Sequence, residues 1–563
     1  MDTIRARSRF QTLTMMGALP ALVYFLVFVL LTFPLIRSFS THIFADAGDG
    51  LQNVWNMWWV NKAITELGQN PWQTSYLHFP YGVTLLGHTL NPFNGLMGIP
   101  LLRVLSPTQA HNVVIIFSFV VAGLTTFWLT YYLTRAYWPS IIAGCIFAFS
   151  PYHFAHAEGH MNLVSLEWIP LFLLFWMMLL TRPRLWLGLA AALTLLLVML
   201  CDYYYFLYSV LAAGFLVVWI AIQQRDALFF TRRTYRGPLL LFLFGVLATS
   251  GVLVIALLRM QARDPLLTDY LPQHFSLDLL APFIPGGHWR FAELTQAFWS
   301  RLPGNIHETS VYVGWAVIAL LVYVVIKRRQ VTMPSLPYWY FLLFFFAIMS
   351  LGPVLHIWGR QVSDIKLPYD LIFRRLFPPL RVSRVPLRMI VMVFLSASVI
   401  SAAGFKLLFQ RSRRTQIAAA LLLVLLAVEY MPKPLPQTRI QEPDYITLLH
   451  SLPGNDAVVD TISRAPIALY YQTIHEKPMA FGYVSRIPAS TAAKDKALRA
   501  VIDAGRYTEL CHRYGIRYLL TDSKRDVMST DPSIKALYGK EGVRLYDLGA
   551  GAPCKIVSGD AGL

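Results

Sequence analysis

Long apolar runs recur along the chain, separated alternately by short basic stretches and by longer polar ones. A hydrocarbon core of about 30 Å needs roughly 20 apolar residues per crossing helix. That length picks out 14–36, 108–133, 139–154, 164–181, 185–201, 204–223, 238–258, 309–326, 337–357, 387–408 and 415–431, the third of them short. The pattern predicts a polytopic α-helical membrane protein with about 11 transmembrane helices. The first run lies behind Arg5, Arg7 and Arg9, and Ala45-Asp46-Ala47 imitates a signal-peptidase site. The run is too long and the site too distant for a signal peptide, so an uncleaved helix is expected.

The periodicity changes in two places. Between the first two runs, in the loop 37–107, Leu51, Val54, Trp55, Trp58 and Trp59 recur at helical spacing. This predicts an amphipathic helix lying flat on the outer leaflet with its indoles toward lipid. After the stiff linker Pro432-Lys433-Pro434-Leu435-Pro436, "DAVVDTI", "IRYLLTD" and "GVRLYDLG" read as strands and "STAAKDKALRAVIDAG" as a helix. The expected organisation is a transmembrane domain over 1–431 followed by a small C-terminal α/β domain over 432–563.

Composition agrees, since 56% of the 563 residues are hydrophobic and only 14% charged, more apolar surface than one soluble core buries. The net charge of +18 changes the picture less than its size suggests. With a cytoplasmic N-terminus, Arg135, Arg182 and Arg184, the group from Arg225 to Arg236, Lys327 to Arg329, and Lys406 to Arg414 all fall on the cytoplasmic side. The basic residues therefore set topology, and nucleic acid is not an expected partner. The loops 37–107, 259–308 and 358–386 and the tail are then external, which places function there. Cys145 and Cys201 sit in apolar runs as packing, whereas Cys511 and Cys554 share the external tail, where their bonding is left open by the sequence. No phosphate-binding glycine loop supports nucleotide-driven chemistry.

Candidate chemistry collects in the external segments. Asp46 and Asp49 precede the aromatic helix; Asp49 suits either an N-cap or a carboxylate acting as base or metal ligand, and Asp46 is a second choice. In the same loop His78 and His88 read mainly as surface residues. The stretch "SPYHFAHAEGHMN" carries His153, His156, Glu158 and His160 behind a Ser-Pro helix start. On a continuing helix the three histidines share one face; if the chain unwinds near Gly159, His156 and Glu158 converge. They suit carbonyl hydrogen bonding at the interface, a divalent ion, or acid–base catalysis. Asp202 and Glu308 each stand at an external helix end, with a capping or a functional role equally open. Arg374, Arg375, Arg381, Arg384 and Arg388 run against the charge rule, as guanidinium forks for a phosphate or as snorkelling side chains.

An Asp pair after the first span, an aromatic flat helix, a second polar motif between spans three and four, and a C-terminal external domain together resemble the GT-C superfamily of membrane glycosyltransferases. "DAGD" with Asp46 and Asp49 looks like that superfamily's first-loop motif, and "HAE" or "EGH" with His156, Glu158 and His160 like its second, both of which serve a metal in oligosaccharyltransferases. The tail lacks a WWD-type acceptor motif, and "SLGPVL" and "PPLRVSRVPLRM" are similar to bacterial membrane proteins grouped with the superfamily. The resemblance implies a glycosyltransferase of the bacterial inner membrane. A polyprenyl-phosphate- or diphosphate-linked sugar would be donor and a glycan, lipid or protein the acceptor. A divalent cation, Mg or Mn, would sit on Asp49, His156, Glu158 and His160, and Arg375, Arg381, Arg384 and Arg388 would hold the donor phosphate. The alternative is a lipid or polysaccharide transporter, or an assembly factor without catalysis, on the same fold.

Overall fold

The computed structural model describes residues 11–267, 271–363, 367–376, 384–524, 527, 534–549 and 554. The chain divides into two compact units, each assembled from separated stretches. Met1–Phe39, Asn112–Val252 and Asp269–Pro436 form the first; Ser40–His111, Leu253–Thr268 and Gln437–Leu563 form the second.

The first unit is helical. A helix occupies each of the apolar segments, but only six described helices are long and apolar enough to cross a membrane: Gln11–Thr32, Pro107–Thr134, Met161–Thr181, Tyr203–Gln224, Arg233–Arg263 and Pro386–Phe409. Tyr137–Ala148, Leu185–Cys201, Trp315–Ile326 and Leu336–Ser350 are apolar but shorter, and Arg413–Glu429 is 17 residues. The expectation of about 11 crossing helices is thus supported at full length for six, because helix stops interrupt the runs. Ser150-Pro151 closes Tyr137–Ala148 and starts the separate helix Pro151–Ala157, Ser150 accepting from the His153 amide. Gly314 (φ +96°), a conformation that glycine tolerates best, holds the next start back to Trp315. After Ser350 the chain turns into a hairpin of Leu355–Ile357 and Arg360–Ser363. Pro386–Phe409 is buried almost throughout and packs on Tyr137–Ala148, Trp315–Ile326 and Leu336–Ser350, making the centre of the unit. Arg233–Arg263 instead leaves Leu240, Phe244, Leu247 and Val252 exposed, a row that lipid rather than water would cover.

The second unit carries a four-stranded sheet: β1 (Ala457–Asp460), β2 (Ile516–Asp522), β3 (Lys535–Lys540) and β4 (Val543–Asp547), in the order β1-β2-β4-β3. The β1–β2 pair is parallel and the β2–β4 and β4–β3 pairs antiparallel. Three of these strands and the helix Ala489–Asp503 coincide with the runs read from sequence; β3 does not, its residues being largely exposed and without alternation. Cys511 and Cys554 are bonded to each other.

The aromatic helix departs from expectation. It runs Asp49–Asn61 with nearly every residue buried, and Trp55 and Trp59 are inaccessible. Its indoles do not face lipid. Trp55 stacks on Trp59, donates its Nε1–H to Gln472 Oε1 (2.7 Å), and shares a core with Tyr76, Leu469, Met479, Tyr518 and Leu545. Lys62 pairs with Glu476 at 2.8 Å. An amphipathic pattern reports that one face seeks apolar contact without saying whether lipid or protein supplies it, and here the tail supplies it.

Candidate functional site

Helix order sorts the ionisable residues of the first unit onto two ends. The turns at 135–136, 182–184 and 225–232, the stretch 327–335 and the turn 410–412 carry the basic clusters, and contacts join them: Lys406 Nζ donates to Thr134 O (2.7 Å), Gln223 to Pro334 O, and Tyr132 meets Thr181. The connections around 149–160, 202, 271–314, 351–363 and 384–389 lie at the opposite helix ends, and they hold the cluster described next.

The Pro151–Ala157 helix is too short to align three histidines. His153 lies in the core, hydrogen-bonded at Nδ1 to Ala148 O (2.6 Å) and at Nε2 to Val164 O (2.8 Å), with Phe119 stacked on its ring. Both nitrogens are engaged, so it serves the fold. His156 ends the helix fully buried beside Tyr152, and its Nδ1 lies 2.9 Å from Nδ1 of His160, which follows the turn at Gly159. Its Nε2 lies 3.8 Å from Glu308 Oε2, and neither of these two buried atoms has a hydrogen-bond partner. Burial first, then the nearby His160 and Arg388, hold the His156 pKa well below its ordinary value, so the ring is neutral.

Glu308 lies ahead of its helix rather than in it, and its carboxylate is paired by Arg388, whose Nε donates to Oε1 at 2.9 Å and whose Nη2 reaches the same oxygen. The Arg388 guanidinium also stands over the Tyr204 ring. Asp202 is a cap: its Oδ1 accepts from the Tyr204 and Tyr205 amides, and its Oδ2 from Asn162 Nδ2 (2.7 Å). Glu158 turns away from His156 to a second pair, 3.2 Å from His288 Nε2 and 3.6 Å from His307 Nδ1. The His160 and His307 rings adjoin with centroids 5.3 Å apart, so the two groups are neighbours. His156, His160 and Glu308 form one set of donors able to hold a metal ion, and Glu158, His288 and His307 another.

Sequence reasoning singled out His156, Glu158, His160, Glu308 and Arg388, which the fold gathers, and passed over His288 and His307. The signal was faint: "GGHWR" and "NIHETS" each set a histidine in an external loop, more than 120 positions from "HAEGH". Arg384 is half-buried; Arg381 and the side chains of Arg374 and Arg375 lie outside the described residues. Asp46 and Asp49 belong to the second unit. Asp46 Oδ1 accepts from the Gly48 (2.8 Å) and Gly50 (3.2 Å) amides; Gly48 is the N-cap, and Asp49 is half-buried. His78 and His88 are buried rather than superficial, His78 against Asp495 and His88 between Asn56 and the Ser485 amide.

Among solved structures, the arabinofuranosyltransferase AftD from Mycobacteria matches 95% of this chain and 41% of its own, at 14% identity and a TM-score of 0.55. The chain thus spans about two-fifths of AftD's length, and the likeness shows a shared fold. The oligosaccharyltransferase AglB from Archaeoglobus fulgidus, with an inhibitory peptide and a dolichol-phosphate, matches at 11% identity and a TM-score of 0.44, over 94% of this chain and 74% of AglB. ArnT from Cupriavidus metallidurans bound to undecaprenyl phosphate matches at 10% identity and a TM-score of 0.40, over 95% and 99% of the two chains. No curated protein matches the sequence. Residues 18–431 fit the profile of a domain of unknown function, DUF6311, and the chain belongs to that family.

Proposed function

We propose that this protein is a membrane glycosyltransferase that takes a sugar from a polyprenyl-phosphate- or diphosphate-linked donor at the external face of a bacterial inner membrane and passes it to a glycan, lipid or protein acceptor. The GT-C fold supports the class. The observation that carries the reading is the unsatisfied pair His156 Nε2 and Glu308 Oε2, buried, 3.8 Å apart and flanked by Arg388. Buried polar atoms are costly without partners, and each such exception asks for an explanation such as a bound ion or a catalytic role.

The donor set fits a divalent ion. Two imidazoles and one carboxylate, His156, His160 and Glu308, match manganese or zinc better than magnesium, which prefers oxygen. When bound, the ion would neutralise charge on the departing phosphate. The chain's own residues supply the rest. Arg388, kept charged and oriented by Glu308, sets a fixed cation at the site, and Arg375, Arg381 and Arg384 add forks for phosphate oxygens. The bond between the anomeric carbon and the phosphate oxygen breaks, the pair of electrons leaves with the lipid phosphate, and the acceptor oxygen bonds to that carbon. Its proton passes to a general base.

The test is release of polyprenyl phosphate from a labelled lipid-linked sugar by the purified protein in nanodiscs. His160→Ala should lower release by about 100-fold while the unfolding temperature holds. Movement of the intact lipid across the bilayer without release would replace this reading with transport.

A further inference from the structure

We infer that Glu158, His288 and His307 form a second metal site, built for a first-row transition ion such as zinc and adjoining the His156, His160 and Glu308 set. The inference rests on the arrangement of three donors around the Glu158 carboxylate. His288 contacts Ser310 Oγ through Nδ1 at 2.6 Å, and Ser310 Oγ lies 3.0 Å from Ile306 O. Nε2, on the far side of the His288 ring, faces Glu158 Oε2 at 3.2 Å. An imidazole nitrogen and a carboxylate oxygen come that close with a proton or a metal ion between them.

The third donor favours the metal. His307 Nδ1 is 3.6 Å from the same carboxylate oxygen, and its ring lies 5.1 Å from that of His288. One proton satisfies one of these nitrogens, whereas a metal ion satisfies both. His307 Nδ1 also lies 3.2 Å from Ala155 O. In the metal-bound form it therefore carries its proton on Nε2 and gives up that carbonyl contact. Two imidazoles with one carboxylate are a zinc donor set of the kind that keeps a fourth position open. The exposure fits that arrangement, since the Glu158 and His307 side chains are 18% and 24% accessible while His288 is 6%. Ser310 is the outer partner that orients a ligating histidine, a role whose loss usually weakens metal affinity ten- to hundredfold.

The experiment is a titration of the chelator-stripped full-length His160→Ala protein, whose neighbouring donor set lacks a ligand, in detergent with Co²⁺, followed by its visible absorption and by displacement with Zn²⁺. This protein should take up a saturable equivalent with a ligand-field band that Zn²⁺ abolishes. In that background His288→Ala and His307→Ala should each lose the band, and Ser310→Ala should weaken uptake by about ten- to hundredfold without changing the stoichiometry. Ser310→Ala retains all three ligands and reads the site even where the His288 variant does not fold. No saturable uptake by the His160→Ala protein, or full uptake once His288→Ala and His307→Ala are both added to it, overturns the inference. The titration contains no sugar, so its failure is separate from failure of the glycosyltransferase reading.

Discussion

Asp46 satisfies two amides at the start of the Asp49–Asn61 helix. Asp46→Ala should therefore lower the stability of the second unit by about 1 kcal/mol, the usual loss for a cap, as read by urea unfolding. His475 supplies a pH prediction. Its Nδ1 accepts the Lys477 amide at 3.0 Å, and burial pushes its pKa down to about 3 from an ordinary 6.5. As pH falls below 6.5 the unfolded chain takes up a proton that the folded ring refuses. The stability contributed by the neutral ring is complete above 6.5 and is lost on the way down to about 3, at up to about 1.4 kcal/mol per pH unit. Wild-type urea midpoints should fall more steeply between these limits than those of His475→Gln, and parallel curves would contradict the assignment.

At the scale of elements, the apolar segments were legible because length and hydropathy are local properties, and so was the Ser150-Pro151 helix start, a signal two residues long. The aromatic helix was legible as a helix and not in its surroundings. Leu51, Val54, Trp55, Trp58 and Trp59 mark a buried face, and what buries it is more than 400 positions away. The histidines divide in the same manner. His153 and His156 share a turn of helix, yet one is held by two carbonyls and the other opens onto Glu308, a distinction made by residues that no short motif contains. Trp55→Ala should cost about 3–5 kcal/mol, because it removes a fully buried indole together with the partner of Gln472 Oε1. A loss below 1 kcal/mol in urea unfolding would mean that the helix faces lipid after all.

At the scale of the molecule, the first unit has a basic end and an end rich in histidine and carboxylate, a polarity already visible in the alternation of loop charges. Membrane-impermeant thiol reagents should label Arg182→Cys and Arg329→Cys from one side only, and Leu294→Cys, at an 80% exposed position, from the other. Labelling of all three from one side would invert the topology. Within the polar end, Glu308→Ala leaves Arg388 buried without its carboxylate and should cost about 3–5 kcal/mol. Arg388→Leu added to Glu308→Ala should restore most of the unfolding temperature, the pattern of an ion pair whose removal as a unit is tolerated. What the loop alternation did not convey was which loops meet, since the cluster joins segments near 156, 288, 307 and 388.

The hydrogen bond from Trp55 to Gln472 also sets a clock. The two residues are 417 positions apart. At the usual 5–20 residues per second of synthesis, the indole leaves the ribosome roughly 20–80 s before its partner exists. For that interval the helix that will become the core of the second unit is a naked aromatic surface, shielded only by lipid, translocation machinery or a chaperone. A message truncated ahead of residue 437 never supplies the missing half, and its product is expected to be short-lived in pulse-chase, however well its membrane helices insert.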